Sequence, residues 1–251
     1  MLPIYQPRDT PIKNTYSSIW SQVVGPKANM HWDKLEFIND TEEEYVSNLW
    51  QKKKKAAAWF VSHCNSLSGR REFVDQLQDA LKDYGWTIDI YGGCGPFKCP
   101  RSSHEQCVEL LERDYFFYMS LENSFAEDYV TEKLLTALWN SVIPIVYGGA
   151  NYSRFLPPTS YLNGRHFSPE ALANTMDHFI KSRREYAQFF KWRSHYTYHD
   201  PSRTENVCAV CAALNDRTKF EAVTTYHNFR EWWNPEYGNR FMSNSLRLKP
   251  S

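Results

Sequence analysis

The feature that most constrains this chain is the stretch of residues 115–150, YFFYMSLENSFAEDYVTEKLLTALWNSVIPIVYGGA. Its first seven residues are aromatic and apolar, the composition of a buried strand. Glu122, Asn123 and Ser124 form a polar break. Asp128 is placed to cap a helix whose first residues are Tyr129 and Val130 and which runs to about Asn140. Residues 142–147 form a second buried strand, ended by Gly148 and Gly149. Strand, helix and strand of these lengths make a parallel crossover.

Such sheets bind ligands in the crevice beyond the carboxyl ends of their strands. The polar residues gather there. Glu122, Asn123 and Ser124 leave the first strand, Glu132 and Lys133 start the helix, and Asn151 and Tyr152 follow the second strand. A helix N-terminus beside a lysine suits an anionic, phosphate-bearing ligand. Glu132 can accept hydrogen bonds from sugar hydroxyls. The same pattern is also compatible with a plain crossover whose Glu and Lys are solvated, dipole-matched helix residues.

The rest of the chain repeats the alternation. Residues 57–62 read as a buried strand. Residues 70–84 are amphipathic, with Phe73, Val74, Leu77 and Leu81 on one face and Gly85 as the stop. Residues 86–91 read as a strand, and residues 101–113 contain a short helix. The order predicts a doubly wound, Rossmann-like parallel α/β sheet. Arg70 and Arg71 open the helix after the first strand. Either can grip a phosphate or simply face solvent. Residues 168–182 open with Ser-Pro, a capped helix start, and residues 185–193 give another helix. Residues 216–233 read as an amphipathic terminal helix, and residues 1–40 as irregular. Thr41 and Glu44 make a capping box for a helix ended by the lysine run 52–55, a solvated helix end matched to the helix dipole.

Twenty-nine basic and 29 acidic residues give a formal net charge of zero. That balance excludes the basic excess of a nucleic-acid binder. No run of about 18 apolar residues offers a membrane span, and the N-terminus has no signal-peptide core. The six cysteines, Cys64, Cys94, Cys99, Cys107, Cys208 and Cys211, fit three disulfides in an oxidising compartment, with a pairing the sequence does not give. Gly92, Gly93 and Gly95 follow a strand but precede Pro96, so they form neither a dinucleotide fingerprint nor a P-loop. A tight loop closed by a Cys94–Cys99 bridge is the better reading. Two glycosylation triplets start at Asn39 and Asn151. His195, His199, Cys208 and Cys211, H-x3-H followed by C-x2-C, have a spacing compatible with a closed zinc site.

FYMSLENS, three residues, then DYVTEKL, followed by VIPIVYGGANYSRFLPPTSYL, closely resembles the signature of the α1,3-fucosyltransferases, glycosyltransferase family 10. The resemblance covers residues 58–211. It implies the C-terminal, donor-binding half of a GT-B glycosyltransferase and a GDP-fucose site at Arg70, Tyr118, Glu122, Asn123, Tyr129, Glu132 and Lys133. In that family the residues matching Arg70 and Lys133 meet the diphosphate, Asn123 lies near the donor sugar and phosphates, and Tyr118 packs near the nucleotide. Tyr129 and Glu132 match residues that hold the nucleoside, Glu132 on the ribose. The family's C-terminal C-x2-C belongs to its disulfide framework. The sequence has no D-x-D, which fits an enzyme using no divalent metal or other cofactor.

The resemblance implies inverting transfer of L-fucose from GDP-β-L-fucose to O3 of N-acetylglucosamine on glycoprotein N-glycans, in the Golgi lumen. It also implies three parts. Residues 1–56 are an irregular remnant of the acceptor domain plus a linker helix, residues 57–195 the GDP-fucose-binding domain, and residues 196–251 a C-x2-C segment and a helix packing back. Residues 1–16 resemble only the trailing edge of the family's acceptor domain, so neither the membrane anchor nor the catalytic carboxylate has an identifiable counterpart and the general base is unassigned. The alternative is a catalytically incomplete GDP-fucose-binding module.

Overall fold

A computed structural model describes residues 5–7, 32, 34–35, 38, 40–100, 104–125, 129–198, 211 and 214–218. Its centre is a five-stranded, wholly parallel sheet. The strands are β2 (Lys55–Phe60), β3 (Ile88–Tyr91), β4 (Tyr115–Leu121), β5 (Ile143–Tyr147) and the short β6 (Leu162–Asn163), in the spatial order β3-β2-β4-β5-β6. The chain runs outward from β2 to β3, then returns to the other side of β2 to lay down β4. The order therefore reverses between β2 and β4. That is the switch point at which doubly wound sheets open a crevice.

Helices cover both faces. They are α1 (Asp40–Lys52), α2 (Arg70–Leu81), α3 (His104–Asp114), α4 (Glu132–Trp139), α5 (Pro169–Lys181) and α6 (Arg183–Gln188). On one face Phe73, Val74, Leu77 and Leu81 of α2 join Leu172 and Met176 of α5 over Phe117 and Met119. On the other, Leu111 of α3 and Ala137 of α4 meet Ala58, Tyr118 and Val142. All seven residues of β4 are buried, as a central strand covered on both faces requires. Ser168 accepts a hydrogen bond from Ala171 N–H and Pro169 takes the first turn of α5, as the sequence indicates.

Several boundaries differ from the sequence reading. β2 starts at Lys55 rather than 57, and α1 is docked on the sheet: Val46 is in the core and the Trp50 ring meets Phe116 edge-on at 6.3 Å. Within the tract read as irregular, β1 (Tyr5–Pro7) pairs antiparallel with β7 (Tyr196–Tyr198). α4 begins at Glu132, not Tyr129. The cause is a tertiary contact: Thr131 gives its backbone N–H and its hydroxyl to Glu122 at the end of β4, and is held extended. Asp128, the expected cap, lies outside the described residues, as does most of the expected helix 216–233.

The disulfides also differ. Cys64 bonds Cys94, and Cys99 bonds Cys107. The expected Cys94–Cys99 loop does not form. Gly92 adopts φ +102° with Val61 O where its side chain would be. The glycine loop thus lies against the chain leaving β2, and Cys94 faces Cys64 rather than Cys99. Cys211 is an exposed free thiol, and Cys208 lies outside the described residues. No helix among the described residues is long and apolar enough to cross a membrane.

Candidate functional site

The crevice at the switch point has three lips: residues 61–69 after β2, residues 122–125 after β4, and residues 148–151 after β5. Arg70 joins the first two. It is the first residue of α2, placed there by Gly69 in the left-handed region at φ +67°. Its guanidinium donates to His63 O at 2.7 Å and to Leu121 O at 2.9 Å, and lies over the Trp59 ring at 5.6 Å. Arg70 is buried, yet among the described residues it forms no ion pair, and its Nε–H is buried without a partner. Desolvation lowers its pKa, opposed by the charge of Glu122. The sequence offered Arg70 as a phosphate grip or a solvated helix start. The structure makes it a buried cation at the base of the crevice. Arg71 points elsewhere, to Asp75 and to Cys94 O.

Glu122 is the second buried charge. It accepts from Thr131 N–H at 2.8 Å, from the Thr131 hydroxyl at 2.8 and 3.0 Å, and from Lys133 Nζ at 3.1 Å. Lys133 also donates to Thr131 Oγ1 at 2.6 Å and lies 3.5 Å from Glu132. The ammonium is thus drawn down onto Glu122 at the start of α4, next to the crevice. Ser120 Oγ donates to Lys133 O and so ties the first turn of α4 to β4. Asn123 presents a buried Oδ1 that has no donor.

The remaining expected residues are spread in depth. Tyr118 lies beneath the crevice, its ring edge-on to Phe60 at 5.6 Å. Burial raises its phenol pKa well above the ordinary value. Tyr129 is half-buried and lies near Arg70. Glu132 is exposed at the helix start. Arg70, Glu122, Asn123, Tyr129 and Lys133 are therefore brought together, Tyr118 packs below them, and Glu132 stands at the rim.

Sequence reasoning missed a set of supports on the β5 side. Tyr147 stacks on Phe73 at 4.5 Å and meets Phe125 edge-on at 5.1 Å. Arg165 lies over Phe125 at 5.1 Å and donates to Gly148 O at 3.2 Å. Gly164 is bare because the Phe73 ring occupies its side-chain space. This aromatic ladder holds the loop that carries Asn123. Phe73 was legible as a core residue of its helix, but its stacking on Tyr147 was not. The Cys64–Cys94 bridge fastens the β2 lip to the β3 loop from the other side. Among the described residues no group of His, Cys, Asp or Glu is arranged to hold a metal ion. His199 and Cys208 of the spaced set lie outside them.

A doubly wound sheet, with a buried arginine and a partly buried lysine and asparagine at its switch point, makes this a Rossmann-like domain with the fold of the GT-B class. Residues 50–232 match glycosyltransferase family 10 (fucosyltransferase), C-terminal part, and the chain belongs to that family. It is 43% identical over 215 residues to alpha-(1,3)-fucosyltransferase C of Drosophila melanogaster, covering 84% of this chain and 47% of that protein. It is 39% identical over 175 residues to alpha-(1,3)-fucosyltransferase fut-1 of Caenorhabditis elegans, covering 66% and 39%. The chain thus spans about half the length, or less, of these curated relatives. A solved α1,3-fucosyltransferase with GDP-fucose shares the fold at a TM-score of 0.52 and 18% identity, over 87% of this chain and 60% of that one.

Proposed function

We propose that the chain is the donor-binding part of an α1,3-fucosyltransferase that moves L-fucose from GDP-β-L-fucose to O3 of N-acetylglucosamine on glycoprotein N-glycans, in the Golgi lumen. The observation that carries this reading is the meeting of Arg70, Asn123 and Lys133 at the switch point, with an unpaired donor on Arg70 and an unpaired acceptor on Asn123. A diphosphate supplies acceptors, and a sugar supplies hydroxyl donors.

In this reading the acceptor oxygen attacks the anomeric carbon from the face opposite the diphosphate. The new C–O bond forms as the bond to GDP breaks, so configuration inverts. Arg70, Lys133 and the N-terminus of α4 carry positive charge where negative charge grows on the leaving diphosphate, and need no divalent ion or other cofactor for that task. Glu122, through Thr131, holds the start of α4 in place. Tyr129 and Glu132 flank the nucleoside, Glu132 on the ribose, and Tyr118 supports the nucleotide from below. The proton of the acceptor hydroxyl must go to a base. Glu122 is unsuited to that role, since it is buried and committed to Thr131 and Lys133. This favours a second reading: by itself the chain binds GDP-fucose without turning it over.

Calorimetry with GDP and GDP-fucose tests both readings, followed by a product assay. The parent is expected to bind both saturably. Lys133→Ala and Arg70→Lys each weaken binding at least about tenfold, the effect of one charge-assisted contact. A folded parent that binds neither ligand overturns the donor-site reading. Binding without product favours the second.

A further inference from the structure

The Tyr152 hydroxyl is buried and has no partner, although it lies in a charged neighbourhood. The reason it can approach Glu122 is Gly148. A β-carbon built on Gly148 would fall 2.4 Å from the Tyr152 hydroxyl and 3.4 Å from Cβ and Cγ of Glu122. The hydroxyl and the Glu122 side chain therefore both border the methyl-sized space that glycine leaves open. Burial raises the phenol pKa, as does the charge of Glu122, and Arg165 acts the other way. The hydroxyl is a protonated donor without an acceptor.

Glu122 is fully served in the meantime. Thr131 gives it an N–H and a hydroxyl, and Lys133 gives it an ammonium. Lys133 cannot serve a phosphate group at full strength while it holds Glu122 and Thr131. If it leaves, a buried carboxylate loses both its countercharge and a donor, which is strongly unfavourable. A carboxylate has about four lone-pair sites, so a replacement donor can be accommodated.

We infer that Tyr152 is a positioning residue that donates to Glu122 when Lys133 turns to the donor diphosphate. The exchange satisfies a hydroxyl left unpaired in the empty site and compensates the carboxylate that Lys133 leaves behind. This rests on the donor-site reading for the identity of the anion. The exchange itself concerns only Lys133, Glu122 and Tyr152.

A double-mutant cycle tests it without any ligand. Tyr152→Phe alone removes an unpaired buried hydroxyl, so the unfolding midpoint stays the same or rises. In a Lys133→Met background Tyr152 already serves Glu122, so the same change lowers the midpoint. Equal shifts in the two backgrounds overturn the exchange. A second readout covers a Lys133→Met protein that does not fold. Tyr152→Phe in the parent background weakens GDP binding about three- to tenfold, the size of one hydrogen bond, while the unliganded midpoint does not fall. Unchanged affinity, or a fall in the unliganded midpoint, overturns the inference. A parent that fails to bind GDP defeats the donor-site reading, and the cycle then decides the exchange.

Discussion

The two edges of the central sheet treat polar groups in opposite ways. At the amino edge, Arg193 pairs with Glu42 at 2.9 Å, donates to Ser141 Oγ at 2.6 Å and lies over Tyr45 at 5.1 Å. Ser141 and Tyr45 both donate to Glu112, and Lys53 donates to Glu112 O. This network joins α1, α3, the start of β5 and the segment after α6. The Trp50 indole N–H is the exception there. At the carboxyl edge, Arg70, Asn123 and Tyr152 each keep a buried polar atom without a partner. A buried polar group left unpaired costs free energy, so a folded chain keeps such groups where something else completes them. On the proposed reading, the amino edge serves stability and the carboxyl edge a ligand.

The largest effect is expected from Lys53. Burial takes its ammonium down from the ordinary lysine value to about 7, against the pull of Glu112 and Asp114. Between pH 7 and the unfolded lysine pKa, the unfolded chain holds a proton that the folded chain has lost. Stability therefore rises with pH across that window, and the penalty is full below it. Lys53→Met removes the penalty and one hydrogen bond. Near pH 6 it is expected to stabilise by roughly 3 kcal/mol, a gain that shrinks toward pH 10. Urea unfolding of both proteins at several pH values checks this, and parallel pH profiles would remove Lys53 from the account. Next in size is Arg193→Ala, which removes the ion pair to Glu42 and the guanidinium donor to Ser141 Oγ. It is expected to lose about 2–3 kcal/mol of stability with GDP affinity unchanged. A drop in affinity would mean that the two edges are coupled through β5.

The sheet and its switch point were legible in the sequence because hydrophobic periodicity records burial directly. β4 is apolar throughout since both faces are covered, and α2 shows its four core residues at helical spacing. Arg70 and Lys133 were legible as charges at helix starts. Their partners were not. Whether an arginine reaches solvent or the carbonyls of His63 and Leu121 depends on how the start of α2 meets the end of β4, 51 residues further along the chain. The start of α4 was misplaced because the capping signal is local while the bond from Thr131 to Glu122 is not. The disulfide pairing failed likewise, since the approach of Gly92 to Val61 decides which sulfurs meet. Arg165 carried no motif at all. Its part in the site comes from stacking on Phe125, a contact between separate loops.

The smallest expected effect sharpens the contrast most. Asn123 Oδ1 is buried without a donor, so Asn123→Ala removes an unsatisfied acceptor rather than a bond. Stability is expected to stay within about 0.5 kcal/mol of the parent or to rise slightly, in place of the loss usual for a buried polar truncation. GDP-fucose affinity is expected to fall about tenfold, near 1.4 kcal/mol, because the acceptor is completed only by the ligand. Comparing GDP with GDP-fucose divides this further. If Asn123 serves the sugar, the loss appears with GDP-fucose alone. If it serves the phosphates, both ligands weaken together. A variant that loses stability while keeping both affinities would place Asn123 with the amino-edge residues, and the division of labour between the two edges would fail at its most direct test.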